Sequence, residues 1–346
     1  MMFRFAGPIL AAAVLMAPLA ASAEKVRVVA TFSILGDMVR QVGGDHVEVK
    51  TLVGPNGDTH VFRPSPLDAR ILQNADLLVV NGLGLEGWLL RLVLAAEFSG
   101  TRIVATDGID GLVLRQDDAD EDEAHKSPHV ASPDEREHKH GESHKHGGGH
   151  GHERGPMDPH AWQSPRAAAL YVTNIANALV AADPSNSLAY QGNLAAYLAE
   201  IEKVTREVKA ALDDIPDERR DIVTSHDAFR YFGREFGLRF RAAQGISTAA
   251  EPSAKDIARL IAQIRKHDIP AVFIENITDP RLVNQIAQET GARVGGTLYS
   301  GSLSGPDGPA GTYLDMIRHN AKTLAEALMP RSVSYTHLTL PTSYPV

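Results

Sequence analysis

The chain has 346 residues, 43% of them hydrophobic, and a formal net charge of −9 at pH 7. This length suffices for two domains with separate cores, and the negative charge argues against nucleic acid as a partner. The sequence contains no cysteine, which excludes disulfides, thiolate metal sites and a lipidated cysteine.

The amino terminus has the pattern of a secretory signal peptide over residues 1–23. Arg4 precedes a short apolar stretch from Ile9 to Leu19, and Ala21-Ser22-Ala23 matches the small-residue cleavage pattern. We therefore expect a mature chain that begins near Glu24 and resides in the periplasm without a lipid anchor.

Strands alternate with helices in the next hundred residues, which indicates an α/β lobe with a mostly parallel sheet. Ser33 is predicted to cap the first helix and Gly43-Gly44 to end it. The predicted strands are Val26 to Phe32, Val47 to Val53, Asp76 to Asn81 and Arg102 to Ala105, and the later helices are Pro64 to Asn74 and Glu86 to Phe98.

A histidine-rich segment interrupts this pattern from about Gln116 to Pro156. It is too polar and glycine-rich to bury much apolar surface, so we predict a disordered loop. Imidazole suits zinc, copper and nickel, so the loop is expected to offer auxiliary metal ligands. The alternatives are a solvated acidic linker or an expression tag, and scattered internal histidines disfavour a tag. The eight histidines are His125, His129, His138, His140, His144, His146, His150 and His152.

A helical region follows the loop. Ser164 is predicted to cap it, with Pro165 in the first turn. Apolar residues at helical spacing predict helices from Ala167 to Ala182 and from Leu188 to Leu212, with a break at Asp183-Pro184.

The alternation of strands and helices then resumes. Two α/β halves thus flank a helical connection, and we divide the chain into an N-terminal lobe (24–157), a linking region (158–213) and a C-terminal lobe (214–331). The predicted strands are Asp221 to Thr224, Arg239 to Ala243, Ala271 to Ile274 and Ala292 to Leu298, and the helices are Asp227 to Phe236, Ser253 to Lys266, Pro280 to Thr290 and Thr312 to Leu328.

The last residues, 332–346, do not continue the preceding helical pattern. They include VSYTHLTLPTSYPV, which resembles a translated sequencing adapter, so we predict that the native frame is lost near Ser332. A genuine disordered tail is the alternative.

Three histidines outside the loop stand beside predicted strand ends or helix starts, where α/β sheets bind ligands. His60 lies in GPNGDTHVFRPSP, His160 in MDPHAWQSP and His226 in TSHDAFRYFG. A lone histidine is usually a hydrogen-bonded structural residue, but three from separate sections of the chain favour a shared site between the lobes.

These motifs, together with GGTLYSGSLSGPDGPAGTYLDMIRHN, closely resemble those of the metal-specific solute-binding proteins of ABC importers. The resemblance runs from about Val28 to the last helix and breaks only at the histidine-rich loop. It implies two Rossmann-like lobes joined by one long helix. It also implies a metal between the lobes, held by His60, His160 and His226, and loop-bearing members are generally zinc proteins.

One position departs from the family pattern. Many relatives place an aspartate ligand where this chain has Gly301. Zinc prefers four ligands, so we expect water or a carboxylate as the fourth, and three neutral imidazoles favour zinc over manganese. Asp158 or Asp227 is alternatively an outer hydrogen-bond partner of the neighbouring histidine. The carboxylate candidates are Asp58, Asp158, Glu251 and Glu275.

The leading interpretation is a periplasmic protein, expected to be monomeric, that captures Zn(II) and delivers it to an ABC permease in the inner membrane. A zinc metallochaperone is a further candidate partner that could load the loop. The alternatives are a manganese-type solute-binding protein, a zinc-dependent hydrolase, and a storage or adhesion protein. No hydrolase motif such as HExxH is present.

Overall fold

The first lobe contains a four-stranded parallel sheet. The computed structural model describes residues 24–110 and 157–330 of the chain. All four residues of the third strand are buried, as expected for a parallel sheet with both faces covered. The strands are β1 (Val26–Phe32), β2 (Val47–Val53), β3 (Leu77–Val80) and β4 (Thr101–Val104), and the helices are α1 (Ser33–Gly43), α2 (Pro66–Gln73) and α3 (Leu89–Ala95).

The connection between the lobes is a pair of packed helices, α4 (Pro165–Ala182) and α5 (Ser187–Asp213). Ser164 caps α4 as predicted, since its hydroxyl accepts a hydrogen bond from the backbone of Ala167 at 3.1 Å. The predicted break between the helices is a short 3₁₀ turn at Pro184–Asn186. At 1.5 Å per residue α5 is about 40 Å long, enough to run beside both lobes.

The second lobe repeats the architecture of the first. Its sheet is also parallel and four-stranded. Helix α5 packs against α1 of the first lobe and against the last helix of the second. The strands are β5 (Asp221–His226), β6 (Arg239–Gln244), β7 (Ala271–Glu275) and β8 (Arg293–Leu298), and the helices are α6 (Arg230–Phe236), α7 (Ala254–Lys266), α8 (Pro280–Thr290) and α9 (Tyr313–Leu328).

Both sheets have the same strand order, β2-β1-β3-β4 and β6-β5-β7-β8. In each sheet, the direction of the connections reverses between the two central strands. Parallel sheets bind ligands at such a point, beyond the carboxyl ends of the strands.

The predicted fold of two parallel α/β lobes joined by a long helix is confirmed. No helix in the described ranges has the length and apolarity required to cross a membrane.

One buried apolar cluster extends through both lobes and the connecting helices. At the junction, the indole of Trp162 is buried and donates to the carbonyl oxygen of Ser300 at 2.8 Å, and Gln163 donates to the same oxygen. A second, smaller apolar cluster lies within the second lobe. The lobes are therefore packed against each other where Trp162 and Gln163 contact Ser300, and they are not joined by a loose linker.

Some predicted element ends were wrong. Ser33 does not cap α1 but is its first residue, because its hydroxyl accepts a hydrogen bond from Leu303 at 2.9 Å. Helix α3 is shorter than predicted and begins at Leu89, after a turn in which Leu83 has a positive φ of 53°. Strand β5 is longer than predicted and ends at His226 itself.

Candidate metal centre

Three histidines from separate parts of the chain converge between the two sheets. His60 lies in the loop after β2, His160 directly precedes a 3₁₀ turn before α4, and His226 ends β5. One ring nitrogen of each lies within 4.8 Å of the others, and the Nε2 atoms of His60 and His160 are 3.2 Å apart. This spacing fits three imidazole nitrogens directed at one metal ion about 2 Å from each.

His226 is held by Glu275, the last residue of the neighbouring strand β7. Its backbone N–H donates to one carboxylate oxygen of Glu275 at 2.7 Å, and its Nδ1 lies 2.5 Å from the other oxygen. Both side chains are buried, and burial alone would lower the pKa of His226, but Glu275 outweighs it and raises that pKa. Because Nδ1 faces Glu275, Nε2 is left to bind a metal.

His160 is held by Asp158 in the tight MDPH turn. One carboxylate oxygen accepts both the backbone N–H of His160 at 2.9 Å and its Nδ1 at 2.8 Å. His160 is fully buried, and this burial lowers its pKa although Asp158 acts in the opposite direction. Asp158 thus has the geometry of the outer partner considered from the sequence, in which a carboxylate fixes the ring and leaves Nε2 free.

His60 differs from the other two because no carboxylate of the described residues contacts its ring. Asp58 accepts the backbone N–H of His60 at 2.9 Å, and its second oxygen accepts the hydroxyl of Thr248 in the other lobe at 2.5 Å. Burial, and then the nearby His160 and His226, lower the pKa of His60 to about 3. His60 is therefore neutral at physiological pH, the form that binds a metal.

None of the four carboxylates considered as a fourth ligand belongs to the histidine cluster of the described residues. Asp158 and Glu275 contact the opposite side of the imidazole rings, and Asp58 is occupied by hydrogen bonds. Glu251 is exposed and lines a separate groove beside β6 and α7. Each of these four carboxylates thus has another contact or location in the described residues, and water stays the other candidate for the fourth ligand.

Gly301 leaves no donor at the place where relatives were expected to have aspartate. A Cβ atom built on Gly301 would lie 2.9 Å from Cδ1 of Ile277. The space beside this glycine is thus filled by an apolar side chain, which offers no ligand atom to a cation.

Asp227 is not the outer partner of His226 that the sequence suggested. It forms an ion pair with Arg230 at 3.2 Å, and burial raises its pKa to about 6. The role that we considered for Asp227 belongs to Glu275, which is distant in sequence and adjacent through the β5–β7 pairing.

A buried polar network beneath His160 was missed from the sequence. Glu86 accepts hydrogen bonds from Thr31 at 2.7 Å and from the backbone of Asn81 at 2.7 Å. The side-chain amide of Asn81 donates to the carbonyl oxygen of Pro159 at 2.9 Å and accepts the hydroxyl of Tyr171 at 2.6 Å. The network fixes the turn that carries His160. The signal available from the sequence was the polar residue Asn81 at the end of a predicted buried strand.

The remaining histidines lie elsewhere. His319 on α9 contacts the carbonyl oxygen of Thr297 at 3.0 Å, and the ring of His46 packs edge-on against Tyr190. The eight loop histidines lie outside the described residues, namely His125, His129, His138, His140, His144, His146, His150 and His152.

Comparison with known families gives a match over most of the chain. The sequence profile of the ZnuA family, zinc-uptake complex component A, periplasmic, matches residues 28–327. The chain is 31% identical over 305 residues to the iron-binding protein YfeA of Yersinia pestis, covering 88% of this chain and 87% of that protein. It is 28% identical to the manganese ABC transporter substrate-binding lipoprotein PsaA of Streptococcus anginosus, covering 89% of this chain and 91% of that one.

Solved structures of periplasmic metal-binding proteins also align with most of this chain. The periplasmic zinc-binding protein TroA from Treponema pallidum aligns with a TM-score of 0.75 and 27% identity, over 88% of this chain and all of that one. A Mn-bound periplasmic metal-binding protein from Candidatus Liberibacter asiaticus aligns with a TM-score of 0.71 and 31% identity, with the same coverage. Similar proteins are thus named for zinc, manganese and iron.

Proposed function

The chain belongs to the ZnuA family of periplasmic metal-uptake components, and we propose that within this family it captures Zn(II) for delivery to its permease. Family membership makes it a metal-binding solute-binding protein of an ABC importer that works with an inner-membrane permease. It is not an enzyme, so the hydrolase alternative is wrong.

The observation that carries the proposal is the convergence of His60, His160 and His226. Three neutral or carboxylate-supported imidazoles with nitrogens within 4.8 Å of one another suit a tetrahedral ion. Asp158 and Glu275 support this assignment, because metal-binding histidines usually donate their second N–H to a carboxylate or carbonyl.

The choice of zinc rests on the donor set. Imidazole nitrogen suits zinc, whereas manganese prefers carboxylate, carbonyl and water oxygens. The described carboxylates stay outside the cluster, and Gly301 supplies no donor beside Ile277. We propose that a water molecule completes the coordination of zinc.

Manganese or iron is the second candidate cargo. The names of YfeA and PsaA favour it, since they are called iron-binding and manganese transporter proteins. Against it stands the absence of a carboxylate donor from the cluster among the described residues.

Several finer features belong to the same proposal. The loop histidines between residues 116 and 156 would supply auxiliary zinc ligands, and a periplasmic metallochaperone would be a source of zinc for them. PsaA is named a lipoprotein, whereas these 346 residues include no cysteine that could be acylated. We propose that the protein acts in the periplasm as a monomer.

A direct competition between metals tests the proposal. Metal-free protein would receive equimolar Zn(II) and Mn(II), and native mass spectrometry would identify the ion retained after desalting. We expect one tightly held zinc ion, lost in the His160→Ala variant and kept in the His46→Ala control. Retention of manganese in preference to zinc would reject the zinc assignment and leave the importer class intact.

A further inference from the structure

A positively charged groove lies on the first lobe, between α2 and α3. Its volume is about 580 Å³, and no aspartate or glutamate lines it. Arg63, Arg70 and Arg91 are exposed along its rim. Among the described residues these three guanidinium groups have no carboxylate partner, although the chain as a whole carries a net charge of −9.

The floor of this groove is apolar. Leu92 and Ala96 are buried in the floor, and Ala95 lies beside them. On the same helix α3, but outside the lining of the groove, Leu90 and Leu94 are 69% and 68% exposed, an unusual solvent exposure for two leucines within one short helix. A surface that combines unpaired arginines with exposed leucines beside a cleft is typical of a protein-binding site.

The groove is continuous with the loop that carries His60. Arg63 is three residues after His60, and Trp88 in the floor donates to the carbonyl oxygen of Thr59 at 2.9 Å. The ring of Trp88 also packs against Phe62, with centroids 4.9 Å apart. Any occupant of the groove would therefore contact residues that hold the rim of the histidine cluster.

We propose that this arginine groove binds an acidic peptide segment of a partner protein. Carboxylates of the segment pair with Arg63, Arg70 and Arg91, because arginine forms bidentate contacts with carboxylates. An apolar side chain between them packs on Leu92 and Ala95. The concave shape favours a peptide over a flat anionic membrane surface. The inference concerns a surface outside the histidine cluster and does not depend on which metal the cluster binds.

Fluorescence anisotropy with a labelled peptide of sequence Asp-Leu-Glu-Asp-Leu-Glu tests the proposal on the full mature chain. The groove variant is R63Q/R70Q/R91Q, and the matched control is R40Q/K50Q/R102Q, which removes three exposed positive charges from other faces of the same lobe. We expect salt-sensitive binding that is about tenfold weaker in the groove variant, as for the loss of charged contacts, and unchanged in the control. A peptide with serine in place of leucine should bind more weakly.

Three results would overturn the proposal: no peptide binding, equal weakening in both variants, or binding to phosphatidylglycerol vesicles that is stronger than to the peptide and lost in the groove variant. The last result would assign the groove to a membrane surface. Circular dichroism and zinc titration of both variants should match the wild-type protein, which separates loss of the groove from misfolding and from failure of the metal site.

Discussion

His226 and His160 differ from His60 in how the fold supports them. Each of the first two is fully buried and has a carboxylate at its Nδ1 side, Glu275 or Asp158. His60 is only partly buried, and its ring has no carboxylate partner in residues 24–110 and 157–330. Two members of the cluster are thus fixed before a metal arrives, while the third lies on a loop whose position depends on Asp58 and Thr248. We infer that the two buried histidines fix the position of the metal site and that His60 completes it as the third ligand.

The sharpest way to break this comparison is to replace one histidine of each kind. We expect His226→Ala to abolish tight zinc binding and to lower the free energy of unfolding of the metal-free protein by about 3–5 kcal/mol, because Glu275 is left buried without its partner. His60→Ala should also abolish tight binding but cost less than about 1 kcal/mol. Urea unfolding and zinc calorimetry of both variants provide the measurements. Equal losses of stability would remove the distinction.

The carboxylates behind the buried histidines provide a second test. Glu275→Gln and Asp158→Asn should each weaken zinc binding about 10- to 100-fold, as is typical for partners that orient a metal-binding histidine. Asp227→Asn is the control, since Asp227 adjoins His226 in sequence but pairs with Arg230. If the control weakens zinc binding as much as Glu275→Gln does, the effect reflects buried charge in general.

Gly301 allows the metal preference to be changed. Gly301→Asp should shift the ratio of manganese to zinc affinity towards manganese by about tenfold, or about 1.4 kcal/mol, because it adds an oxygen donor. Ile277 lies 2.9 Å from the new Cβ position, so the double variant with Ile277→Ala should shift further. An unchanged ratio in both variants would show that Gly301 does not face the metal.

The polar network under His160 should have a smaller effect. Asn81→Ala removes the hydrogen bond to the buried carbonyl of Pro159, and we expect a loss of about 1–3 kcal/mol in unfolding free energy with a modest loss of zinc affinity. Asn193→Ala removes a similar bond to Val42, far from the cluster in the α1–α5 contact. This control should lower stability and leave zinc affinity unchanged. If both variants lost the same zinc affinity, a positioning role for Asn81 would be contradicted.

The pH dependence of the metal-free protein tests the burial of His60. The pKa of His60 is about 3 in the folded state and 6.5 when exposed, so between these values the unfolded chain binds the extra proton. Stability is therefore full above about pH 6.5 and falls as the pH is lowered towards 3. His60→Gln should reduce this slope by at most one proton, measured by urea unfolding at a series of pH values. An unchanged slope would mean that His60 is not desolvated.

Much of the fold was predictable because each element carries its own local signal. Strand β2, helix α8 and the cap at Ser164 follow from apolar spacing and capping residues. Ser33 was misassigned because its true partner, Leu303, is 270 residues away. A cap inferred from neighbouring residues cannot anticipate such a contact.

The site was predictable only in part for the same reason. The three histidines stood out through their motifs, and Asp158 through its position two residues before His160. Glu275 is 49 residues from His226, and it becomes a partner only when β5 and β7 pair in parallel. From the sequence, Glu275 was considered only as one of four candidate metal ligands and not as the partner of His226.

Zinc calorimetry combined with native mass spectrometry tests the central claim most directly, applied to the intact mature protein and to a variant that lacks residues 116–156. We predict one tight zinc ion in both proteins and its loss when His60→Ala is introduced into the shortened variant. If removal of residues 116–156 abolishes the tight site while His60→Ala leaves it intact, the histidine cluster between the lobes is not the zinc site.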